Sequence, residues 1–319
     1  MCVIIKANPC FGVNMKRKRI LGSLTLVLVA LIWGVAFTAQ SEAMKYIEPF
    51  TFNTARSLIA GVLLIPVVRL LDVLNRKDPN FVPPTASKRT LLFAGVLCGI
   101  ILAVASALQQ FGVMYTNVGK AGFITALYIV FVPVAGLVFR RRPGILVWIA
   151  VIIAVVGMYL LCMTESFTIA PGDTLVLLCA LGFTAHILVI DRFSQTVDCV
   201  RMSMIQFFVC ALISGICMIV FERPDIEAVL SAWLPILYAG ALSSGVGYTL
   251  QIVAQKDTPP VLASLLMSLE SVFAVLAGWL ILGQTLTAKE LCGCGLMFAA
   301  IILAQIPKKT DICSTNIKH

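Results

Sequence analysis

Apolar residues gather along this chain into ten stretches of about 20 residues, separated by short polar linkers. They lie near 20–40, 51–71, 91–114, 120–139, 144–163, 172–190, 202–221, 231–254, 260–282 and 287–306. About 20 apolar residues is the length a helix needs to cross ~30 Å of hydrocarbon. Leu91 to Met114 is apolar on every side and far longer than the roughly ten alternating residues of a barrel strand. The pattern therefore predicts an all-α integral membrane protein with ten transmembrane helices. The linkers leave no room for a soluble domain.

The pattern also repeats. Leu108-Gln109 answers to Leu250-Gln251, Thr116 to Thr258, Ala121 to Ala263, Leu127 to Leu269 and Ala135-Gly136 to Ala277-Gly278, all at one offset. Two copies of five spans follow, 20–163 and 172–306, with the break at the polar stretch Thr164 to Asp173, which includes Pro171. Residues 1–19 form a cytoplasmic leader and 307–319 a cytoplasmic tail. Because each copy holds an odd number of spans, the second crosses the bilayer in the opposite sense, giving inverted repeats of the kind found in secondary transporters.

Composition agrees: 60% of the 319 residues are hydrophobic and 12% charged, with mean hydropathy +1.00, against roughly a quarter charged in soluble domains. The net charge of +9 is distributed by topology. With the N-terminus inside, only Lys45, Lys120, Arg223 and Lys289 of the 24 Lys and Arg fall outside, and Arg56 lies within a span. The positive-inside rule then places both termini in the cytoplasm and the chain in the cell membrane as a multi-pass protein. A nucleic-acid partner would want these charges on one folded face, so none is expected; the lipid bilayer is the partner.

Lys16-Arg17-Lys18-Arg19 before an apolar run has the form of a signal peptide. The run is longer than a signal core, and the second copy has its match at 172–190, so a retained first helix is expected. Residues 1–14 have no counterpart, and Met15 would make an ordinary start. The eleven cysteines sit mostly within spans or on the cytoplasmic side and read as small apolar fillers. Cys292-Gly293-Cys294 points its thiols to different helix faces, and His186 and His319 lie far apart, so no metal is expected.

Leu31-Ile32-Trp33-Gly34, Leu108-Gln109, Tyr115-Thr116 leading into Ala121-Gly122-Phe123-Ile124-Thr125, and Ser268-Leu269-Glu270-Ser271-Val272-Phe273-Ala274 resemble the EamA-type branch of the drug/metabolite transporter superfamily. The resemblance covers the chain after residue 20. It implies a ten-helix bundle of two inverted repeats, both termini inside, that moves small metabolites and often exports them. In that family the last spans often serve dimer contacts, which extends here to a homodimer. Two positions depart from the family pattern: Ser271 stands where proline usually follows the glutamate, and Gln284 where glutamate is frequent.

Glu270 is the carboxylate deepest within a predicted span, ~15 Å from its inner end by helical rise. An unpaired charge at that depth costs at least ~2.5 kcal/mol, so the group must be paired, protonated or in a wet cavity. It reads as a proton-coupling group, a substrate contact or a structural hydrogen bond. Arg56 lies ~8 Å inside the outer end of its span, where its stem can snorkel, contact an anionic solute or pair with Glu270. Gln109 and Gln251 are counterparts, expected near opposite faces of the bundle as paired gates or as interhelical hydrogen-bonding groups. Trp33 and Tyr128, the latter the counterpart of Glu270, complete a predicted central site with Ser264, Ser268, Thr125 and Asn53 as secondary candidates.

His186, with Asp191 five residues on, reads as a proton relay or as a buried imidazole satisfied by a neighbour. Gly293, Gly295 and Ala299 in span ten and Gly157 in span five are expected to let helices approach closely. Pro133 within span four would supply a flexible point.

The sequence contains no phosphate-cradling glycine loop, zinc-ligand spacing or serine triad motif, so no cofactor is expected. The expectation is a secondary active transporter that exports a small organic metabolite by alternating access, driven by the solute gradient or by protons through Glu270. The rivals are a membrane-embedded enzyme acting on lipid, for which His186 with Asp191 is the candidate pair, and a non-transporting receptor or assembly factor that reuses the fold.

Overall fold

The computed structural model of the chain describes residues 9–77, 83–116, 118–138, 143–162, 171–282 and 287–305. Among them the chain forms helices and no strand: α1 (Pro9–Ala43), α2 (Pro49–Lys77), α3 (Lys88–Tyr115), α4 (Val118–Thr125), α5 (Tyr128–Val138), α6 (Ile145–Cys162), α7 (Pro171–Phe193) and α8 (Cys199–Phe221). There follow the short α9 (Ile226–Ser231) and α10 (Trp233–Leu237), a π-helical segment (Tyr238–Tyr248), α11 (Thr249–Gln255), α12 (Pro260–Met267), α13 (Glu270–Leu282) and α14 (Ala288–Gln305). Ten stretches are long and apolar enough to cross a membrane, one for each span expected from the hydropathy pattern. Residues 1–8 of the leader, Arg140–Arg142, the break at 164–170, Gln284, the tail 307–319 and with it His319 lie outside the described residues.

The bundle turns apolar side chains outward and keeps its polar groups within a largely apolar core, as a hydrocarbon solvent requires. On α1, Leu21, Leu24, Leu28 and Leu31 are exposed, while Leu26, Ala30 and Gln40 are buried. Asn53, Arg56, Gln110, His186, Gln206 and Glu270 are buried too. Side-chain caps begin two of the long helices: Ser87 accepts from the Thr90 amide at 3.2 Å to start α3, and Asp198 from the Arg201 amide at 3.0 Å to start α8.

The two copies bury corresponding faces. Leu26, Ala30, Ala36 and Gln40 of α1 match Val176, Ala180, His186 and Ile190 of α7, and Asn53, Arg56, Ala60 and Leu64 of α2 match Ser203, Gln206, Cys210 and Ser214 of α8. This offset is longer than the one linking Gln109 to Gln251, because α2 and α3 run longer than α8 and the span that follows it. Packing obeys the same two-fold relation. Helix α3 lies on α7 as the π-helical segment and α11 lie on α1, and α4 and α5 lie on α7 as α12 and α13 lie on α1. Helix α2 pairs with its own counterpart α8, and α6 with α14.

Glycine makes the last of these pairings possible. A Cβ on Gly293 would stand 2.7 Å from the Gly157 carbonyl oxygen, and one on Gly157 3.0 Å from that of Gly293. These two residues thus bring α6 and α14 together within one chain. Gly295 does not share the role expected of it, since a Cβ there would meet nothing within 4 Å.

Spans four and nine are each broken in the middle, and the breaks correspond bond for bond. Leu127 N donates to Ile124 O at 3.1 Å and Ile129 N to Ala126 O at 3.1 Å; in the second copy Leu269 N donates to Leu266 O at 3.3 Å and Ser271 N to Ser268 O at 3.2 Å. Each break is a local tightening to i→i+3 bonding. It needs no proline: Pro133 lies beyond the break, inside α5, and Ser271 spends the amide that a proline would lack on the turn itself.

Candidate functional site

The second half of each broken span begins at the site. Helix α5 starts at Tyr128 and α13 at Glu270. The two residues are 142 apart in sequence and their side chains meet, Tyr128 Oη donating to Glu270 Oε1 at 3.1 Å. Counterparts related by a two-fold axis can touch only at that axis, so this bond marks it. Glu270, in the first turn of α13, receives the partial positive charge of the helix N-terminus, which offsets part of the cost of burying a carboxylate.

A cavity of about 40 Å³ surrounds this pair. Of the residues singled out from the sequence, Trp33, Arg56, Gln109, Thr125, Tyr128, His186, Gln251 and Glu270 all line it. Trp33 Nε1 donates to the Ser243 carbonyl in the π-helical segment at 3.1 Å, and its ring packs on Tyr248 with centroids 4.7 Å apart. Tyr248 also meets His186 edge-on at 5.8 Å. The imidazole is held by Gln206, Nε2 to Oε1 at 3.0 Å. Asp191, the partner offered for it by the enzyme reading, is not among the cavity residues.

Arg56 does not snorkel. It is 5% exposed and its guanidinium lies over the Phe52 ring at 5.3 Å. Among the described residues it forms no ion pair with Glu270. The cavity thus has a guanidinium and a carboxyl group on its wall that are not joined to each other. Gln109 and Gln251 depart from expectation by lining the same cavity. They meet there because the cavity sits on the axis, which both spans approach from opposite sides. Their environments differ: Gln109 Nε2 donates to Thr125 Oγ1 at 3.4 Å, while the Gln251 Oε1 is buried with no hydrogen-bond partner.

The remaining secondary candidates stand apart. Ser264 and Ser268 donate to carbonyls of their own turn, at 2.9 and 2.8 Å, and Asn53 is buried with its amide unpartnered; none lines the cavity. Sequence reasoning missed Phe37, Gln40, Phe183, Ile187, Ser243, Tyr248 and Met267 as lining residues. One signal was available: Phe183 of α7 is the counterpart of Trp33 in α1.

The EamA-like transporter family pattern matches the chain twice, over residues 20–163 and 170–305. An uncharacterized transporter of Archaeoglobus fulgidus is 31% identical over 91% of this chain and 87% of its own length. Protein PagO of Salmonella typhimurium is 26% identical over 79% of this chain and 82% of its own. The uncharacterized inner membrane transporter YedA of Escherichia coli K12 is 24% identical over 89% of this chain and 90% of its own. A crystal structure with 15% sequence identity shares the fold at a TM-score of 0.72, over 89% of this chain and 97% of its own. With ten apolar helices in two copies, and a family match to each copy, the chain belongs to the EamA-like transporter family and is a multi-pass membrane transporter.

Proposed function

We propose that the chain exports a small polar organic solute as a secondary active transporter, by exposing the central cavity alternately to the two sides of the bilayer. The observation that carries this reading is a cavity on the axis between inverted copies, with Arg56, Glu270 and three glutamines on an otherwise largely apolar wall and only about 40 Å³ of space. That is space for a few waters, far below the roughly 300 Å³ at the small end of organic ligand sites. A solute therefore enters only when the two five-helix copies move against each other. With the basic loops inside, both termini are cytoplasmic.

The wall chemistry supplies the roles. Arg56 offers a fixed cation, Gln109 and Gln251 offer amides, and Trp33 with Tyr248 offers an aromatic face. Ionised Glu270 accepts an N–H or O–H donor from the solute. A proton arriving from the other side displaces that donor, which couples proton entry to solute exit. His186 also lines the cavity, its imidazole held by Gln206.

The test is the small-molecule profile of the medium around cells making the wild type, an equally abundant Glu270→Gln variant or neither. A solute enriched only by the wild type is the expected result. Equal enrichment by both variants would remove Glu270 from the mechanism, and no enrichment by either would sink export.

A further inference from the structure

Helices α2 and α8 are counterparts that pack on each other, and they are fastened at both ends. At one end Glu222, the residue that ends α8, reaches the first turn of α2: the Phe50 amide donates to its Oε1 at 2.7 Å, and the Thr51 amide and hydroxyl to its Oε2 at 2.7 and 2.8 Å. At the other end Asp72 of α2 accepts from Arg201 Nη2, in the first turn of α8, at 2.5 and 2.7 Å. Arg201 Nη1 also donates to Asp198 at 2.9 Å.

The register that pairs Arg56 with Gln206 pairs Asp72 with Glu222 and Thr51 with Arg201. The two fastenings are therefore one latch made twice: a carboxylate towards the C-terminal end of one helix holds the first turn of its counterpart, with the roles exchanged at the opposite face. Neither latch belongs to the central cavity. They differ in setting. Glu222 is 9% exposed and lies on a helix N-terminus, where a carboxylate is favoured. The Asp72 and Arg201 side chains are each 36% exposed and compete with water.

We propose that these latches are the gates of the transport cycle, Glu222 at the outer face and Asp72 with Arg201 at the inner. Two rods that cross separate at one end while closing at the other, so opening one latch tightens its counterpart. The wet latch yields first, and the cavity is loaded from the Arg201 side. The inference rests on the alternating-access reading above.

The test uses the full chain in membrane vesicles of known orientation, with Met267 of the cavity wall replaced as Met267→Cys and a membrane-impermeant maleimide applied to one face at a time. Labelling of that site is read by peptide mass. Glu222→Gln should raise labelling from the Glu222 face roughly tenfold, the size of shift that loss of charge-assisted hydrogen bonds gives a two-state equilibrium. Asp72→Asn and Arg201→Gln should each raise it from the opposite face. Thr51→Val, which removes a single bond, should act in the direction of Glu222→Gln if that variant fails to fold. Substitutions that raise labelling from both faces alike, or from neither, would overturn the gate assignment. Because the probe reads access to the cavity and not transport, a wrong solute or direction would leave this result untouched.

Discussion

Gly34 of α1 lies directly against Glu270: a Cβ on it would stand 2.7 Å from the Glu270 carbonyl oxygen, 2.7 Å from Phe273 Cβ and 2.8 Å from the Ala274 amide nitrogen. Two of the three obstacles are backbone and cannot turn aside. Gly34→Ala is therefore expected to push α1 from α13, lower stability by about 1–3 kcal/mol and impair transport. Gly295→Ala, with open space around it, should instead be neutral or stabilising by up to ~1 kcal/mol. Thermal unfolding in detergent separates the two, and equal effects would contradict the packing described.

Tyr128→Phe leaves the Glu270 carboxyl without its donor in a buried site, an expected cost of about 1–3 kcal/mol. Glu270→Gln keeps an acceptor for the phenol and should cost less stability while abolishing transport. A double-mutant cycle of unfolding energies over the two positions measures the bond; a coupling of zero would mean that the contact carries no energy.

Substitutions at Glu270 and His186 should differ in kind. Glu270→Gln is expected to abolish proton and solute movement together. His186→Gln, which leaves an amide facing Gln206, should slow transport without changing the proton-to-solute ratio. The ratio is measurable by recording vesicle pH and solute flux together, and an altered ratio in the histidine variant would give His186 the coupling role instead.

Orientation has its own reporter. Cys292 is exposed in the second turn of α14, the end that lies outside in the proposed orientation. An impermeant maleimide added to intact cells should label Cys292 and spare the half-buried Cys199 at the opposite face. Labelling of Cys199 alone would invert the topology.

The ten spans were legible because hydropathy reports the solvent a surface meets, and the lipid-facing leucines of α1 are as visible in sequence as in space. Glu270, Arg56 and His186 were legible as candidates because a polar group inside a span must be accounted for. The breaks at Ala126-Leu127 and Ser268-Leu269 were not, since neither contains a residue that forces a turn; tertiary packing makes them. The convergence of Gln109 and Gln251 on one cavity was missed for a related reason. Span counting gives depth along each helix but not distance from the axis. The latches at Asp72 and Glu222 were hidden by the change of offset between the first two spans and the next two.

The bond between Tyr128 and Glu270 also bears on why the two copies are joined in one polypeptide. In a symmetric dimer of separate five-helix chains, the residue at the axis would meet itself. Two glutamates there would crowd like charges into one site and have to share a proton, whereas two tyrosines would supply no acid at all. Fusion frees the two positions to diverge, so that one presents a hydroxyl donor and the other its acceptor. The chemical polarity of the centre is thus something a symmetric pair of identical chains cannot possess.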